Sequence, residues 1–437
     1  MNTTAGQTAC KEIHVLGLND FNRAKLEALP GAHGYRFHGL LTPEEILYAQ
    51  AFPVESMLRR AEAQLREAPQ APDAIVGYMD FPVSTLLPLL AQRTGLPALG
   101  LEAMLKCEHK YWSRLEQQKV VPDAIPDFQL VDPFEDDPLV QLELPFPFWL
   151  KPVKSAGSYL GFRVENETDF ANAIAEIREH IHRFAEPFDR ILEHIDLPPE
   201  IASVGGHYCL AEELLVGEMC TLEGYVHNGE VHVHGVVDSV REPASSCFAS
   251  YQYPSRLPDA VQQRMESVAQ RVLKQIGFDR SAFNMEFFWD VQRDAISLLE
   301  INTRIAQHHS DLFQKVHGVS NHHVAVEMAL GKDPHLPEGR GEFQCAGAFW
   351  LRKHDNAWVE KVPSQADLAA ITAAFPGTVV ELEVHPEMWL SDLHDQDSYS
   401  YVIALIYVGA RDHQELEERY QAIVERLPFV LRSGPGA

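Results

Sequence analysis

The sequence predicts an α/β protein with α+β subdomains, and three observations carry that reading. Short apolar runs alternate with helical stretches through the first hundred residues, two further apolar runs flank a polar turn near residues 283–302, and the composition is that of an ordinary globular chain. With 437 residues, 46% hydrophobic and 23% charged, the chain is long enough for roughly two to four domains with cores of their own. A net charge of −27 argues against nucleic acid or an anionic membrane as partner. The six cysteines, at positions 10, 107, 209, 220, 247 and 345, form no CxxC pair, which suits a reduced cytoplasmic chain better than a disulfide framework. The N-terminus lacks the charged and apolar regions of an export signal, and no apolar run reaches the ~18 residues that span a bilayer, so neither export nor insertion is expected.

In chain order, residues 12–18 read as a strand and 24–29 as a helix behind it; 73–78 read as a second strand, 86–94 as a helix and 96–99 as extended. Strands alternating with helices imply a parallel, Rossmann-like sheet. Its first turn is not GxGxxG, so no dinucleotide is expected on it. Residues 107–112 open a helical stretch, and the Pro- and Asp-rich segment 122–138 leads into a second unit. There, residues 145–152 form a short strand carrying Lys151, followed by the small Gly/Ser loop 154–161. A fixed ammonium followed by backbone N–H groups and hydroxyls suits a polyphosphate, although such a loop alone is also an ordinary turn. The GxxxxGK[ST] order is absent. Residues 208–218 read as an edge strand with glutamates, and 231–236 as a strand with one polar face, His232 and His234 facing solvent and not ligating metal. Residues 321–330 read as a helix with His322 and His323 on its surface, 331–334 as a linker, 400–406 as a strand and 414–425 as a helix.

The runs 283–289 and 296–302 have the pattern of two paired strands. A turn centred on Arg293 sets Glu286 against Glu300 and Asn284 against Asn302. Carboxylates directly opposite one another repel, and burying them is costly unless they are paired or metal-bound. A hard dication such as Mg2+, shared with substrate phosphates, removes the conflict. A register slip of a residue or two would instead leave both glutamates solvated.

The run Glu300-Ile301-Asn302-Thr303-Arg304-Ile305, with Glu286 on the partner strand, closely resembles the Glu-x-Asn-x-Arg signature of the ATP-grasp superfamily, and most closely its amino-acid-ligase and biotin-carboxylase-like branches. The resemblance implies an ATP-grasp fold: residues 1–104 a Rossmann-like pre-ATP-grasp domain, 105–124 a connecting helix, 125–214 a small lid subdomain, 215–335 a large subdomain with the hairpin, and 336–437 a C-terminal α/β portion packed on it. It implies ATP as cofactor, with Mg2+ or Mn2+, as two ions, held by Glu286, Glu300 and Asn302. By the same resemblance Lys110, Lys151, Ser155, Gly157 and Ser158 meet the phosphates. Glu212 and Glu218 serve the adenine amino group and the ribose, while Glu213 and Leu215 meet the base edge through their backbone. Arg304 points at the acyl phosphate or the carboxylate being activated.

The activity this resemblance implies is ATP-dependent ligation of a small carboxylate to an amine, amino acids among them, through an acyl phosphate with release of ADP and phosphate. Its partners are small molecules, with no nucleic acid or membrane and with room for a homodimer. Biotin-carboxylase-type bicarbonate activation is an alternative, against which His308 stands where that branch has a glutamate. A catalytically silent nucleotide-binding protein is another, against which the intact set Lys151, Glu286, Glu300, Asn302 and Arg304 stands. His308 and His309 lie where amino-acid ligases line their substrate pocket; an imidazole of ordinary pKa, about 6.5, could deprotonate an incoming ammonium, or both rings could simply line the pocket. Arg241 is the candidate grip on the substrate carboxylate.

Overall fold

The computed structural model describes residues 10–47, 52–157, 159–242, 247–337, 339–393 and 400–433. At the N-terminus β1 (Lys11–Leu16), β2 (Tyr35–Leu40) and β3 (Ala74–Val76) form a parallel sheet in the order β2–β1–β3. Ile13, Val15 and Leu16 are buried to zero exposure, as a parallel strand covered on both faces requires. The helix Asp20–Glu27 starts where the Asn19 side chain accepts from the Asn22 N–H, a standard N-cap. Residues 96–99 form no strand.

The connection to the second unit is two helices, Leu101–Glu108 and Lys110–Val120, where the sequence suggests one. They break at His109, whose ring accepts from the Trp112 N–H at 3.1 Å and caps the second helix. That break puts Lys110 in a first turn that faces inward. Next, β4 (Phe128–Val131), β5 (Phe148–Pro152), β6 (Phe162–Val164) and β7 (Cys209–Glu213) make an antiparallel sheet in the order β4–β7–β5–β6. The helix Glu167–His180 packs Phe170, Ile174 and Ile177 against Phe148 and Leu150, giving this sheet a core of its own.

The largest sheet has eight strands in the order β12–β11–β8–β9–β10–β13–β17–β15. These are β8 (Glu218–His227), β9 (Glu230–Arg241), β10 (Phe248–Tyr253), β11 (Ser281–Asp290), β12 (Ala295–Asn302), β13 (Cys345–Lys353), β15 (Val379–Leu382) and β17 (Tyr401–Ala410). A small sheet of β14 (Ala357–Lys361), β16 (Met388–Trp389) and β18 (Val430–Ser433) flanks it. The last hundred residues therefore extend the large sheet by three strands and are not a separate portion packed upon it. Strand β17 shows why: Ala404, Ile406 and Val408 join one core with Leu416, while Leu405 and Tyr407 join another with Phe313, so both faces are covered.

Two histidine expectations are corrected by this layering. His322 is fully buried, with Nε2 2.8 Å from Asn22 Oδ1, because its helix, His322–Ala329, lies between β3 and β11. Its pKa is pushed down to about 3 by that burial. His234 is only 8% exposed, since β9 is an interior strand and Phe313 covers the ring; His232, at 38%, stays half-exposed. Among the described residues no helix is long and apolar enough to cross a membrane.

Candidate active site

Strands β11 and β12 pair antiparallel with Glu286 opposite Glu300 and Asn284 opposite Asn302. The turn, however, centres between Gln292 and Arg293, since Asp290 pairs with Ala295 and Trp289 with Ile296. A β-bulge at Leu299 makes up the missing residue. It also solves a facing problem. Leu298 and Glu300 are two apart and would share a face in a regular strand. With the bulge, Leu298 is fully buried opposite Phe287 while Glu300 stays 34% exposed opposite Glu286. Asn302 Nδ2 donates to Asn284 Oδ1 at 3.2 Å and to Glu286 Oε1 at 3.4 Å, completing a two-carboxylate, one-amide cluster.

Burial, followed by the charge of Glu300, raises the Glu286 pKa to about 7. Burial would raise Glu300 too, but Lys110 and Lys151 outweigh it and hold that carboxyl below its ordinary range. Lys110 Nζ lies 3.0 Å from Glu300 Oε1 and donates to the Ser155 carbonyl at 3.1 Å. Lys151 Nζ lies 2.6 Å from Glu212 Oε2, and Arg114 Nε 2.6 Å from Glu212 Oε1. Glu212 is buried, yet these two cations hold its pKa down to about 2. Lys110, Arg114, Lys151, Glu212 and Glu300 line one narrow cleft. A broader surface groove between Phe375, Arg411 and Arg419 lies elsewhere and assembles no comparable set.

The donor set fits a divalent ion. Two facing carboxylates, one held toward its protonated form, and an amide are hard oxygen ligands, and cation binding would relieve their repulsion. Among the described residues no three His, Cys, Asp or Glu side chains gather as a complete cage. An ion here would therefore need further oxygens from a bound phosphate or water.

The other expected nucleotide residues lie on the loop after β5 and on the segment that joins β7 to β8. Ser155 is buried and Gly157 sits at φ +59°, a left-handed position in the loop after β5; Ser158 lies outside the described residues. Glu213 is exposed at the end of β7, its N–H donating to the Asp127 carbonyl at 2.9 Å. Leu215 is half-buried and Glu218 exposed, at the start of β8. Glycine is required between them: at Gly217, φ +111°, a Cβ would stand 2.1 Å from the Trp289 carbonyl oxygen. The hinge segment is thus pressed directly onto the hairpin backbone. Glu212 faces inward to its cations, while Glu213 and Glu218 face out.

Arg304 leaves the hairpin and meets the N-terminal sheet, Nε and Nη2 donating to the two carboxylate oxygens of Asp80 at 2.7 and 2.8 Å. Asp80 lies just past β3, at the carboxyl end of a parallel strand, where ligand sites of such sheets form. His309 is buried with Nδ1 2.8 Å from Glu223 Oε1. His308 sits edge-on to Trp350, 5.6 Å between centroids, and burial, then His309 and Arg304, lower its pKa to about 4. Arg241 lies over the rings of Phe288 and Phe248 at 5.0 and 5.7 Å, and burial lowers its pKa against the opposing charge of Glu286.

Three organising residues escaped the sequence reading: Asp80, Arg114 and Glu223. Glu223 is fully buried on β8 and accepts from Ala306 N, Asn321 Nδ2 and Asn284 Nδ2, at 3.0, 3.0 and 3.4 Å, as well as facing His309. It holds the chain that runs from Asn302 to His309. Nothing local marked it, because a lone Glu in an apolar strand reads as solvent-facing.

Residues 144–311 match the model of the ATP-grasp domain. Nearly the whole chain is similar in fold to the L-amino acid ligase from Bacillus licheniformis, with a TM-score of 0.73 and 16% identity over 96% of this chain and 98% of that one. The biotin carboxylase from Campylobacter jejuni gives a TM-score of 0.66 at 15% identity, covering 98% and 93%. The biotin carboxylase domain dimer of the Hydrogenobacter thermophilus 2-oxoglutarate carboxylase, solved with MgADP and bicarbonate, gives 0.65 at 14%, covering 97% and 91%. A comparison with curated proteins gives no match.

Proposed function

The chain carries an ATP-grasp domain within the fold of the ATP-grasp ligases, as its hairpin signature foretold, and from that premise we propose that it is an ATP-dependent carboxylate–amine ligase joining two small molecules, amino acids among them. The observation that carries the proposal is the pair Glu286 and Glu300 facing each other beside Lys110. In this reading Glu286, Glu300 and Asn302 hold Mg2+, which when bound neutralises charge on the ATP phosphates.

The chain's own groups do the rest. Lys110, Lys151 and the loop at Ser155, Gly157 and Ser158 hold the phosphates, while Glu212 fixes Lys151 in place. Glu213 and Leu215 meet the adenine edge, with Glu218 at the ribose. The γ-phosphate passes to the substrate carboxylate, and the amine then displaces it from the acyl phosphate. Positioning and charge supply most of such a reaction. Arg304, oriented by Asp80, is the cation for the acyl phosphate or the carboxylate being activated, and Arg241 is a second grip on the substrate carboxylate. A His308 pKa of about 4 makes that ring neutral at pH 7 and too weak a base to deprotonate an ammonium, which supports its lining the pocket. His309, held by Glu223, lines the pocket behind it.

The test is phosphate release with Mg2+ across a panel of carboxylates and amines. Release that depends on both partners supports ligation, release with bicarbonate and biotin supports carboxylation, and no release with any pair sinks the enzyme reading. Glu300→Gln is expected to abolish turnover with circular dichroism unchanged; ordinary rates in that variant remove the metal assignment.

A further inference from the structure

We propose that the acid activated at this site carries an aromatic or bulky apolar side chain, held against a wall of Phe248, Tyr251 and Trp350 beside the hairpin acids; the proposal rests on the ligase reading above. The wall follows from register. Tyr251 pairs with Ala348 across β10 and β13, so Trp350, two residues on, shares its face. A bulge at Ala249 sets Phe248 opposite Arg241 and turns it to that same face. Further along, the helix Ser310–His317 covers this face at Tyr253 and Ala346. Before that helix begins, the rings of Phe248, Tyr251 and Trp350 are left half-buried.

Their mutual geometry is edge-to-face for Tyr251 and Trp350 and tilted for Phe248 against both. Tyr251 and Trp350 stand 4.7 Å apart at 81°, Phe248 and Tyr251 5.5 Å apart at 48°, and His308 closes the far end against Trp350. Such an array presents both ring faces and ring edges to a further ring. Charge sets the other end of the ligand. Arg241 lies over Phe248, 5.7 Å from the ring centroid, and burial, then the charge of Glu286, pushes the Tyr251 phenol up. A carboxylate held by Arg241, over the Phe248 ring, directs its side chain along the wall. A small side chain would leave these rings wet, and a charged one would be desolvated without a partner.

The experiment measures ADP formation by the full chain with ATP, Mg2+ and an amine panel, using phenylalanine, leucine, alanine or glutamate as the acid. Calorimetric binding of the same acids to the chain loaded with ADP and Mg2+ runs in parallel. Phenylalanine is expected to exceed alanine in kcat/KM by at least ~10-fold, since each methylene in a fitted pocket is worth about that much. Trp350→Ala and Tyr251→Leu should each collapse the phenylalanine-to-alanine ratio, while Trp350→Phe largely retains it. Preferential phenylalanine binding without turnover keeps the wall and overturns the ligase reading. Equal handling of alanine or glutamate in both measurements, or no binding of any of these acids, overturns the wall.

Discussion

Arg114 ties four pieces of the site together with one side chain. Besides Glu212, its guanidinium donates to the carbonyls of Leu298 and Leu299 at 3.0 and 2.7 Å, the very carbonyls that flank the β12 bulge. It also reaches Gln117 on its own helix at 2.5 Å. Arg114 and Glu212 are each only 3% exposed, so the pair is a buried one. Removing one partner of such a pair leaves the other's buried charge only partly compensated. Arg114→Met is expected to lower stability by about 3–5 kcal/mol and to weaken ATP binding, because Glu212 is left to Lys151 alone. Chemical denaturation and nucleotide titration check this; a variant as stable as the parent would remove the stapling role. Lys110 and Lys151 could be picked out from sequence because each stands beside a recognisable feature. Arg114 could not, although it follows Lys110 at i+4 and so shares its helix face, because helix arginines usually end in water.

At the scale of elements, the hairpin shows how a correct pairing can rest on compensating details. Counting from Arg293 sets Glu286 opposite Glu300, which is the pairing found, yet the turn is half a residue away and the Leu299 bulge restores the count. Bulges leave no composition signal in a single sequence, so only the paired strand reveals them. The hinge is similar. Gly217 looks like any turn glycine, but its Cβ position is already occupied by the Trp289 carbonyl of β11. Gly217→Ala should therefore cost about 2–4 kcal/mol and raise the KM for ATP by roughly tenfold, through displacement of the hinge from the hairpin. Steady-state kinetics and thermal melts decide this, and an unchanged KM would mean that the hinge does not position the nucleotide.

Across the whole molecule, the N-terminal sheet is locked to the large one by a charged interior layer. Lys25 pairs with Asp311, which also pairs with Lys315, and Lys25 Nζ donates to Gln314 at 2.7 Å. Phe21 stacks on Tyr407 at 5.6 Å. Glu381 on β15 borders this layer, facing Tyr407, Glu383, Asp311 and Lys25, and burial lifts its pKa to about 7. The sign follows from linkage. A carboxyl raised in the fold is undemanding below its unfolded pKa of 4.5, and its ionisation opposes the fold as pH climbs through about 7. Glu381→Gln should match the parent near pH 4.5 and melt about 1–3 °C higher at pH 8. Melting curves against pH test this, and a gap that narrows as pH rises would reverse the assignment.

The sequence alone determined the α/β class, the strand–helix alternation at the N-terminus, the paired hairpin acids and the ATP-grasp signature, because each is written in residues adjacent in the chain or linked by one short turn. Only the tertiary structure decided that His322 and His234 are interior, that the last hundred residues extend the large sheet, and that Asp80, Arg114 and Glu223 brace the site. Those facts depend on which surfaces meet across the chain. Burial and ion pairing between residues up to three hundred positions apart are properties of packing, and packing is set by the summed shape of many segments rather than by any one of them.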